Sequence, residues 1–134
     1  VYQAGTLSGN PLAVAAGKAM LDHLLQPGFY TTLDAKADRL ESQLRNVIAQ
    51  SAIPVQLNRV GSLFCLFFTA EPVTNYPTAI AANAAIYAKF FNSMLEKGFY
   101  LPPSQYETWF IGEAHTEQQL LQFCIAVEEV LGGM

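Results

Sequence analysis

A glycine-rich segment close to the start of the chain has the residue types of an anion-binding turn. Two glycines, two hydroxyl side chains and an Asn-Pro step lie within Gly5-Thr6-Leu7-Ser8-Gly9-Asn10-Pro11, directly before an apolar helical pattern. Asn10 is a good N-cap and Pro11 suits the first helical position, so a helix is predicted over residues 11–25. The N–H groups at a helix start attract phosphate or carboxylate, and glycines let a ligand approach the backbone. The segment is therefore a candidate anion site, although a capped turn that leads into a buried helix explains the same residues.

Glu107 is the carboxylate whose surroundings distinguish it from the other acidic residues. It follows the rigid segment Pro102-Pro103-Ser104 and precedes the aromatic pair Trp109-Phe110. Desolvation penalises an acid in an apolar segment unless a partner is present, and such acids are frequent at functional sites. The alternative is an edge-strand residue whose carboxylate points to water, and the sequence supports the two hypotheses equally.

The histidines and cysteines do not suggest a second site. His23 lies near a predicted helix end, and His115 directly precedes the predicted helix cap Thr116 and is expected to anchor that loop. Neither histidine has a metal-ligand or nucleophile partner at a suitable spacing, so we predict no metal site. Cys65 and Cys124 fall in apolar strand and helix patterns and are predicted to be buried free thiols.

The composition is poor in charge. Charged residues make up 13% and hydrophobic residues 51% of the 134 residues, whereas about 25% charge is typical of a soluble domain. So little charge predicts that the chain packs against other parts of a larger protein, as does its start at Val1 without a signal-like region. A net charge of −4 with scattered basic residues does not favour nucleic acid, and no apolar run predicts a membrane span. Cytoplasmic location is the default for a chain with free thiols.

The hydrophobic periodicity predicts helices that alternate with a small, mostly antiparallel sheet covered by helices on one face, which is an α/β fold. After the first helix, the predicted order is a helix from residue 29, strands over 55–60 and 63–69, a helix over 78–97, short strands over 99–101 and 106–111, and a helix from 117. Thr78 is the predicted cap of the third helix, whose core stripe is expected at Ile80, Ala84, Tyr87, Phe91 and Met94/Leu95. The last helix is predicted to open with a capping box between Thr116 and Gln119.

Several segments resemble one family of enzymes and occur in that family's order. Gly5-Thr6-Leu7-Ser8-Gly9-Asn10-Pro11 resembles the G-T-x-x-G-N-P motif of the class III, fold-type I aminotransferases that use pyridoxal phosphate. The longer block from Tyr2 to Pro11 is similar to the glutamate-1-semialdehyde 2,1-aminomutase family among them. Further similar segments are Gly61-Ser62-Leu63-Phe64, Phe67-Phe68, Pro72-Val73-Thr74-Asn75-Tyr76, Tyr100-Leu101-Pro102-Pro103-Ser104-Gln105-Tyr106-Glu107 and Ala114-His115-Thr116-Glu117.

The resemblance implies a domain organisation. Residues 29–134 would be the C-terminal small α/β domain of a fold-type I pyridoxal phosphate enzyme. Residues 1–28 would be a cofactor-phosphate loop followed by a helix that joins this domain to a missing large domain.

The resemblance also implies an activity and site residues. The whole enzyme would be a homodimer that converts a small-molecule substrate, glutamate 1-semialdehyde, to 5-aminolevulinate in tetrapyrrole biosynthesis. Gly5 and Thr6 would bind the phosphate of pyridoxal phosphate held by the neighbouring subunit, and Glu107 would lie near the substrate. The Schiff-base lysine is expected upstream, so no catalytic residue is implied within this chain, and the fragment alone is expected to be inactive.

Two alternatives remain open. Another class III aminotransferase, acting on a different amino compound, would share the segment from Gly5 to Pro11. A non-catalytic α/β module that serves only assembly or ligand binding would account for a chain without a complete active site.

Overall fold

The computed structural model of the chain describes residues 5–134, so Tyr2, Gln3 and Ala4 of the similar block lie outside the described residues. The chain divides into two units, Val1–Thr32 and Leu33–Met134. The predicted division into residues 1–28 and 29–134 stays a prediction.

Helix α1, Pro11–Leu24, belongs to the first unit and begins where the sequence predicts. The Oδ1 atom of Asn10 accepts hydrogen bonds from the backbone N–H groups of Leu12 and Ala13, both at 3.1 Å. Gly9 precedes this cap with φ of +75°, a conformation that L side chains rarely adopt. No residue of α1 is buried within the described chain, and Leu12 is 80% exposed. The predicted helix is confirmed.

The second unit is a three-stranded sheet with helices on one face. The elements that follow α1 are α2 (Phe29–Gln50, which begins in the first unit), β1 (Gln56–Val60), β2 (Leu63–Phe67), α3 (Tyr76–Ile80), α4 (Ala84–Glu96), β3 (Trp109–Phe110) and α5 (Glu117–Gly132). The strand order is β1-β2-β3, and both pairings are antiparallel. The predicted small antiparallel sheet is confirmed.

The main core lies between this sheet and three helices. Leu40 of α2, Phe90 of α4 and Val127 of α5 are at most 1% exposed and belong to one apolar cluster with Phe64 of β2. Because successive strand side chains point to opposite faces, Phe67 instead packs in a second, smaller cluster with Val73 and Ala82. Strand β2 is therefore covered on both faces near its end, as its all-apolar sequence predicts.

The helix predicted over residues 78–97 is two helices. Asn75 caps α3, and Thr78 is its third residue rather than a cap. Asn83 divides the predicted helix because it caps α4. Its Oδ1 accepts hydrogen bonds from the backbone N–H groups of Ala85 and Ile86 at 3.1 and 3.0 Å. The core stripe changes with this new start: Phe90 is fully buried, whereas Phe91 is half-buried and Ile80 is 49% exposed.

The strands predicted near the end of α4 are shorter or absent. Residues 99–101 form no strand, because Gly98, with φ of +87°, ends the helix and the N–H of Phe99 bonds back to the carbonyl of Met94 at 2.9 Å. Of residues 106–111, only Trp109–Phe110 pair with the sheet. The preceding residues form a turn, in which the N–H of Glu107 donates to the carbonyl of Ser104 at 3.1 Å.

The C-terminal helix agrees with its prediction. Thr116 and Gln119 form the expected capping box. Leu120, Cys124, Val127 and Leu131 recur every three or four residues along this helix, and all four are buried. Within residues 5–134, no helix combines the length and the apolar character that crossing a bilayer requires.

Candidate functional site

The glycine-rich segment is an exposed turn, and some of its hydrogen-bond donors have no acceptor within residues 5–134. The N–H of Ser8 donates to the carbonyl of Gly5 at 3.0 Å, and the N–H of Asn10 donates to that of Leu7 at 3.1 Å. No hydrogen bond within residues 5–134 engages the N–H or hydroxyl of Thr6. A Cβ atom on Gly5 would lie 2.9 Å from the Oγ atom of Ser8, so a side chain there would require the Ser8 hydroxyl to rotate away.

The start of α1 differs from the anion site proposed from sequence. Asn10 already satisfies the N–H groups of Leu12 and Ala13, and Pro11 has none. The free donors of this segment therefore lie in the turn before the helix, at Thr6, rather than at the helix end. A hydroxyl and a backbone N–H on one exposed residue can donate two hydrogen bonds to a phosphate.

Glu107 is exposed and lies in the turn that precedes β3. Of the two hypotheses for Glu107, the carboxylate that points to water agrees with this exposure, although the residue lies in a turn rather than in an edge strand. The carboxylate remains available to a ligand, and its position depends on the loop that carries it.

Two side chains from other elements, Tyr87 and Cys65, and one side chain of the loop itself, Gln105, hold this loop in place. The hydroxyl of Tyr87 on α4 donates to the carbonyl of Pro102 at 2.7 Å. The amide nitrogen of Gln105 donates to the carbonyl of Ala82, just before α4, at 3.4 Å. The thiol of Cys65 on β2 donates to the hydroxyl of Thr108 at 3.4 Å and to the carbonyl of Glu107 at 3.8 Å.

The electrostatics of Tyr87 connect it with the same loop. Burial, together with the electrostatic influence of Cys65 and Glu107, raises the pKa of its hydroxyl to about 12. The hydroxyl therefore stays protonated, and a hydrogen-bond donor, throughout the neutral range.

The sequence analysis did not predict that Tyr87, Gln105 and Cys65 hold the loop that carries Glu107. Tyr87 was expected in a core stripe, where it is buried, but its hydroxyl bond to the loop had no sequence signal. Cys65 was predicted to be buried and is half-buried, whereas Cys124 is buried as predicted. Gln105 had one available signal, because it lies in the segment from Tyr100 to Glu107 that is similar to the aminomutase family.

The second histidine has the structural role expected from sequence. His115 accepts a hydrogen bond at Nδ1 from the N–H of Gly112 at 2.9 Å, and its carbonyl accepts one from the ammonium group of Lys36 at 2.7 Å. His115 thus anchors the loop before α5. No group of three or more His, Cys, Asp or Glu residues within residues 5–134 is arranged to hold a metal ion.

The chain is similar along nearly its whole length to curated aminomutases. It is 46% identical over 129 residues to glutamate-1-semialdehyde 2,1-aminomutase from Desulfotalea psychrophila, covering 96% of this chain and 30% of that protein. It is 51% identical over 120 residues to the protein of the same name from Pelotomaculum thermopropionicum, covering 90% of this chain and 28% of that one. The chain thus spans about 30% of the length of the curated relatives it matches. No family model matches the chain.

The fold is shared with solved aminotransferase structures. A β-phenylalanine aminotransferase from Variovorax paradoxus superposes with a TM-score of 0.86 at 22% identity, over 99% of this chain and 30% of that one. A glutamate-1-semialdehyde aminomutase from Pseudomonas aeruginosa superposes with a TM-score of 0.82 at 24% identity, over 96% of this chain and 28% of that one.

The fold is that of the C-terminal part of the fold-type I pyridoxal phosphate aminotransferases. The resemblance drawn from the motifs is confirmed at the level of sequence. The chain belongs to the glutamate-1-semialdehyde 2,1-aminomutase family and corresponds to its C-terminal part.

Proposed function

We propose that this chain is the C-terminal part of an enzyme that converts glutamate 1-semialdehyde to 5-aminolevulinate by moving an amino group between adjacent carbons. The observation that carries the proposal is 43–51% identity, over nearly the whole chain, to curated proteins named for the aminomutase. Pyridoxal phosphate, when bound, supplies an electron sink for the amino-group transfer. The whole enzyme acts on this small molecule as a cytoplasmic homodimer.

Gly5 and Thr6 are the residues of this chain that bind the cofactor. The hydroxyl and N–H of Thr6 are exposed and unused within residues 5–134, so both can donate to a phosphate oxygen. Gly5 keeps the turn open, because a side chain there meets Ser8. The family resemblance supports the assignment of this phosphate to the cofactor of the neighbouring subunit.

Glu107 is the residue of this chain that contacts the substrate. Its exposed carboxylate can accept hydrogen bonds from the ammonium group of an amino-acid-like substrate and hold it by charge. The anchored loop keeps that carboxylate in place when the substrate arrives.

The fragment alone is inactive, because the Schiff-base lysine lies in the part of the enzyme that precedes it. Three of the four lysines here already have partners: Lys18 pairs with Asp22, Lys97 pairs with Glu129, and Lys36 donates to backbone carbonyls. Those contacts support structural roles for these lysines. A lysine that forms a Schiff base needs a nucleophilic, uncharged amine.

The test uses the full-length protein. We expect 5-aminolevulinate to form from glutamate 1-semialdehyde without an external amino donor, whereas an ordinary class III aminotransferase requires one. Formation of product only with an added donor would replace the proposal with that alternative. A non-catalytic module would show neither activity nor a pyridoxal absorbance band.

Two variants test the site residues. Thr6→Val removes the hydroxyl and keeps the shape, so we expect cofactor affinity to fall by about tenfold, as for a hydrogen bond to a charged group. Glu107→Gln keeps the shape and removes the charge, so KM should rise, while Glu96→Gln on an exposed helix face serves as the matched control. Unchanged cofactor affinity in Thr6→Val, or equal KM values in the two glutamate variants, would contradict the corresponding role.

A further inference from the structure

The loop that carries Glu107 is held at two points, one on α4 and one on the residue that precedes the cap of α4. Near its start, the Tyr87 hydroxyl donates to the carbonyl of Pro102 at 2.7 Å. Near its middle, the amide nitrogen of Gln105 donates to the carbonyl of Ala82, which precedes the cap of α4. Tyr87 is 4% exposed and Gln105 is 3% exposed. The hydrogen bond of Gln105 is buried, and that of Tyr87 is partly buried.

We propose that Tyr87 and Gln105 are positioning residues that together clamp the loop of residues 102–107 and so set the place of the Glu107 carboxylate in the active site. This inference rests on the proposed role of Glu107 in binding substrate. It adds one residue outside the loop, Tyr87, and one residue within it, Gln105, which both act on the substrate through Glu107.

The polar character of Gln105 supports a positioning role over simple packing. Its Oε1 atom is buried and has no hydrogen-bond partner among the described residues. A buried acceptor without a partner is unfavourable, and an apolar side chain of similar size would fill the same space without that penalty. The benefit of glutamine at this position is the bond that its amide nitrogen makes to Ala82.

The surroundings of Tyr87 support the same conclusion. Burial keeps its hydroxyl protonated, and the negative charge of Glu107 acts in the same direction. The carboxylate of Glu107 therefore lies close enough to act on this hydroxyl electrostatically. The bond to Pro102 persists at every pH at which an enzyme of neutral optimum works.

Apart from the contacts that hold this loop, few contacts limit the movement of Glu107. Its N–H bonds to Ser104 within the loop, and its carbonyl accepts a 3.8 Å contact from the thiol of Cys65. Without the clamp, the turn could shift together with its carboxylate. A shift of the order of 1 Å in a substrate-binding group is enough to weaken binding.

The first experiment measures the loop directly, by hydrogen exchange on the full-length protein. Tyr87→Phe removes one hydroxyl from a buried ring, and Tyr76→Phe, on a ring that is 74% exposed, is the matched control. We expect the amides of residues 104–108 to exchange about five- to tenfold faster in Tyr87→Phe, the size of one lost hydrogen bond, and to be unchanged in Tyr76→Phe. Unchanged exchange in Tyr87→Phe overturns the clamp.

The second experiment is a double-mutant cycle in steady-state kinetics. We expect Tyr87→Phe to raise KM about three- to tenfold, with a smaller change in kcat, and to add no such increase when Glu107 is already Gln. A purely structural role for Tyr87 would raise KM by the same factor in both backgrounds, and that result overturns the proposal. Gln105→Met, which keeps the volume and removes the amide, should behave as Tyr87→Phe does.

The two experiments separate this proposal from the proposed function. Absence of aminomutase activity in the wild-type full-length protein refutes the function, and hydrogen exchange then still decides whether Tyr87 and Gln105 hold the loop. Normal activity with equal kinetic effects in both backgrounds refutes the clamp alone.

Discussion

Arg59 on β1 ties the sheet to α2, and its removal should destabilise the second unit strongly. Its side chain is 11% exposed and pairs with Glu41 at 2.8 Å, with Asp34 at 3.0 Å and with Asp38. The guanidinium carbon also lies 5.8 Å from the centroid of the Phe64 ring. One buried cation thus joins three acids of a helix with an aromatic ring of the core.

The expected loss in Arg59→Met is about 2–3 kcal/mol in the free energy of unfolding. The shielded pair with Glu41, which is 22% exposed, contributes about 1.5 kcal/mol, as a hydrogen bond between charged groups does. Asp34 and Asp38 are 62% and 69% exposed, so together they add less than about 1 kcal/mol. The contact with the Phe64 ring adds about 0.5–1 kcal/mol. The methionine side chain packs where the apolar part of Arg59 packed, and this packing offsets part of the loss in the free energy of unfolding.

The loss should also depend on pH. The hydrogen bond from Arg59 lowers the pKa of Glu41, against the desolvation that raises it, and Arg45 lowers it further. A carboxyl whose pKa is lower in the folded state stabilises that state above its unfolded pKa and loses the effect as the pH falls through its folded pKa. The difference between wild type and Arg59→Met should therefore be largest near neutral pH and shrink in acid, below about pH 4.

The assay is urea unfolding of the 134-residue chain, followed by far-ultraviolet circular dichroism at pH 7 and at pH 3. Arg39→Met is the control, because Arg39 and its partner Glu117 are both more than half exposed and solvent screens their pair. An Arg59→Met chain as stable as the wild type at pH 7 would refute the assigned magnitude. A difference of equal size at both pH values would refute the electrostatic origin.

Three further predictions concern the core, a helix cap and a thiol. Phe90→Ala empties a site that is 0% exposed and should lower the free energy of unfolding by about 3–5 kcal/mol, measured by the same urea titration; a loss under 1 kcal/mol would contradict its central place. Asn83→Ala removes the cap that separates α3 from α4 and should cost about 1 kcal/mol, visible as faster hydrogen exchange in the first turn of α4 alone. Burial raises the pKa of Cys124 to about 11, so at pH 8 a thiol reagent should label the half-buried Cys65 first and reach Cys124 only on unfolding; equal labelling rates would contradict the burial of Cys124.

Elements that depend on neighbouring residues agree with the sequence predictions. The cap at Asn10 and the box formed by Thr116 and Gln119 involve atoms at most three residues apart, so their chemistry is present in the local sequence. The hairpin of β1 and β2 follows from a run of alternating polar and apolar residues and an apolar run, joined at Gly61, whose φ is +57°. The buried stripes of α2 and α5 follow from a spacing of three and four residues.

Predictions that depended on register or on distant partners were less accurate. The local pattern does not show which of Phe90 and Phe91 is buried. Phe90 is the buried one, because α4 begins anew after the cap Asn83. Glu107 was expected in an apolar strand, but the bond from its N–H to Ser104 forms a turn and leaves its carboxylate exposed.

The amino-acid sequence by itself determined the family, the antiparallel α/β architecture and the candidate residues Gly5, Thr6 and Glu107, because motifs, caps and periodicity are properties of short segments. Only the tertiary structure revealed that Tyr87 and Gln105 hold the loop of Glu107. Their contacts join groups 15 and 23 residues apart along the chain. Such contacts arise only when α4 and the loop pack together, since burial makes each hydrogen bond necessary and no local pattern encodes its partner.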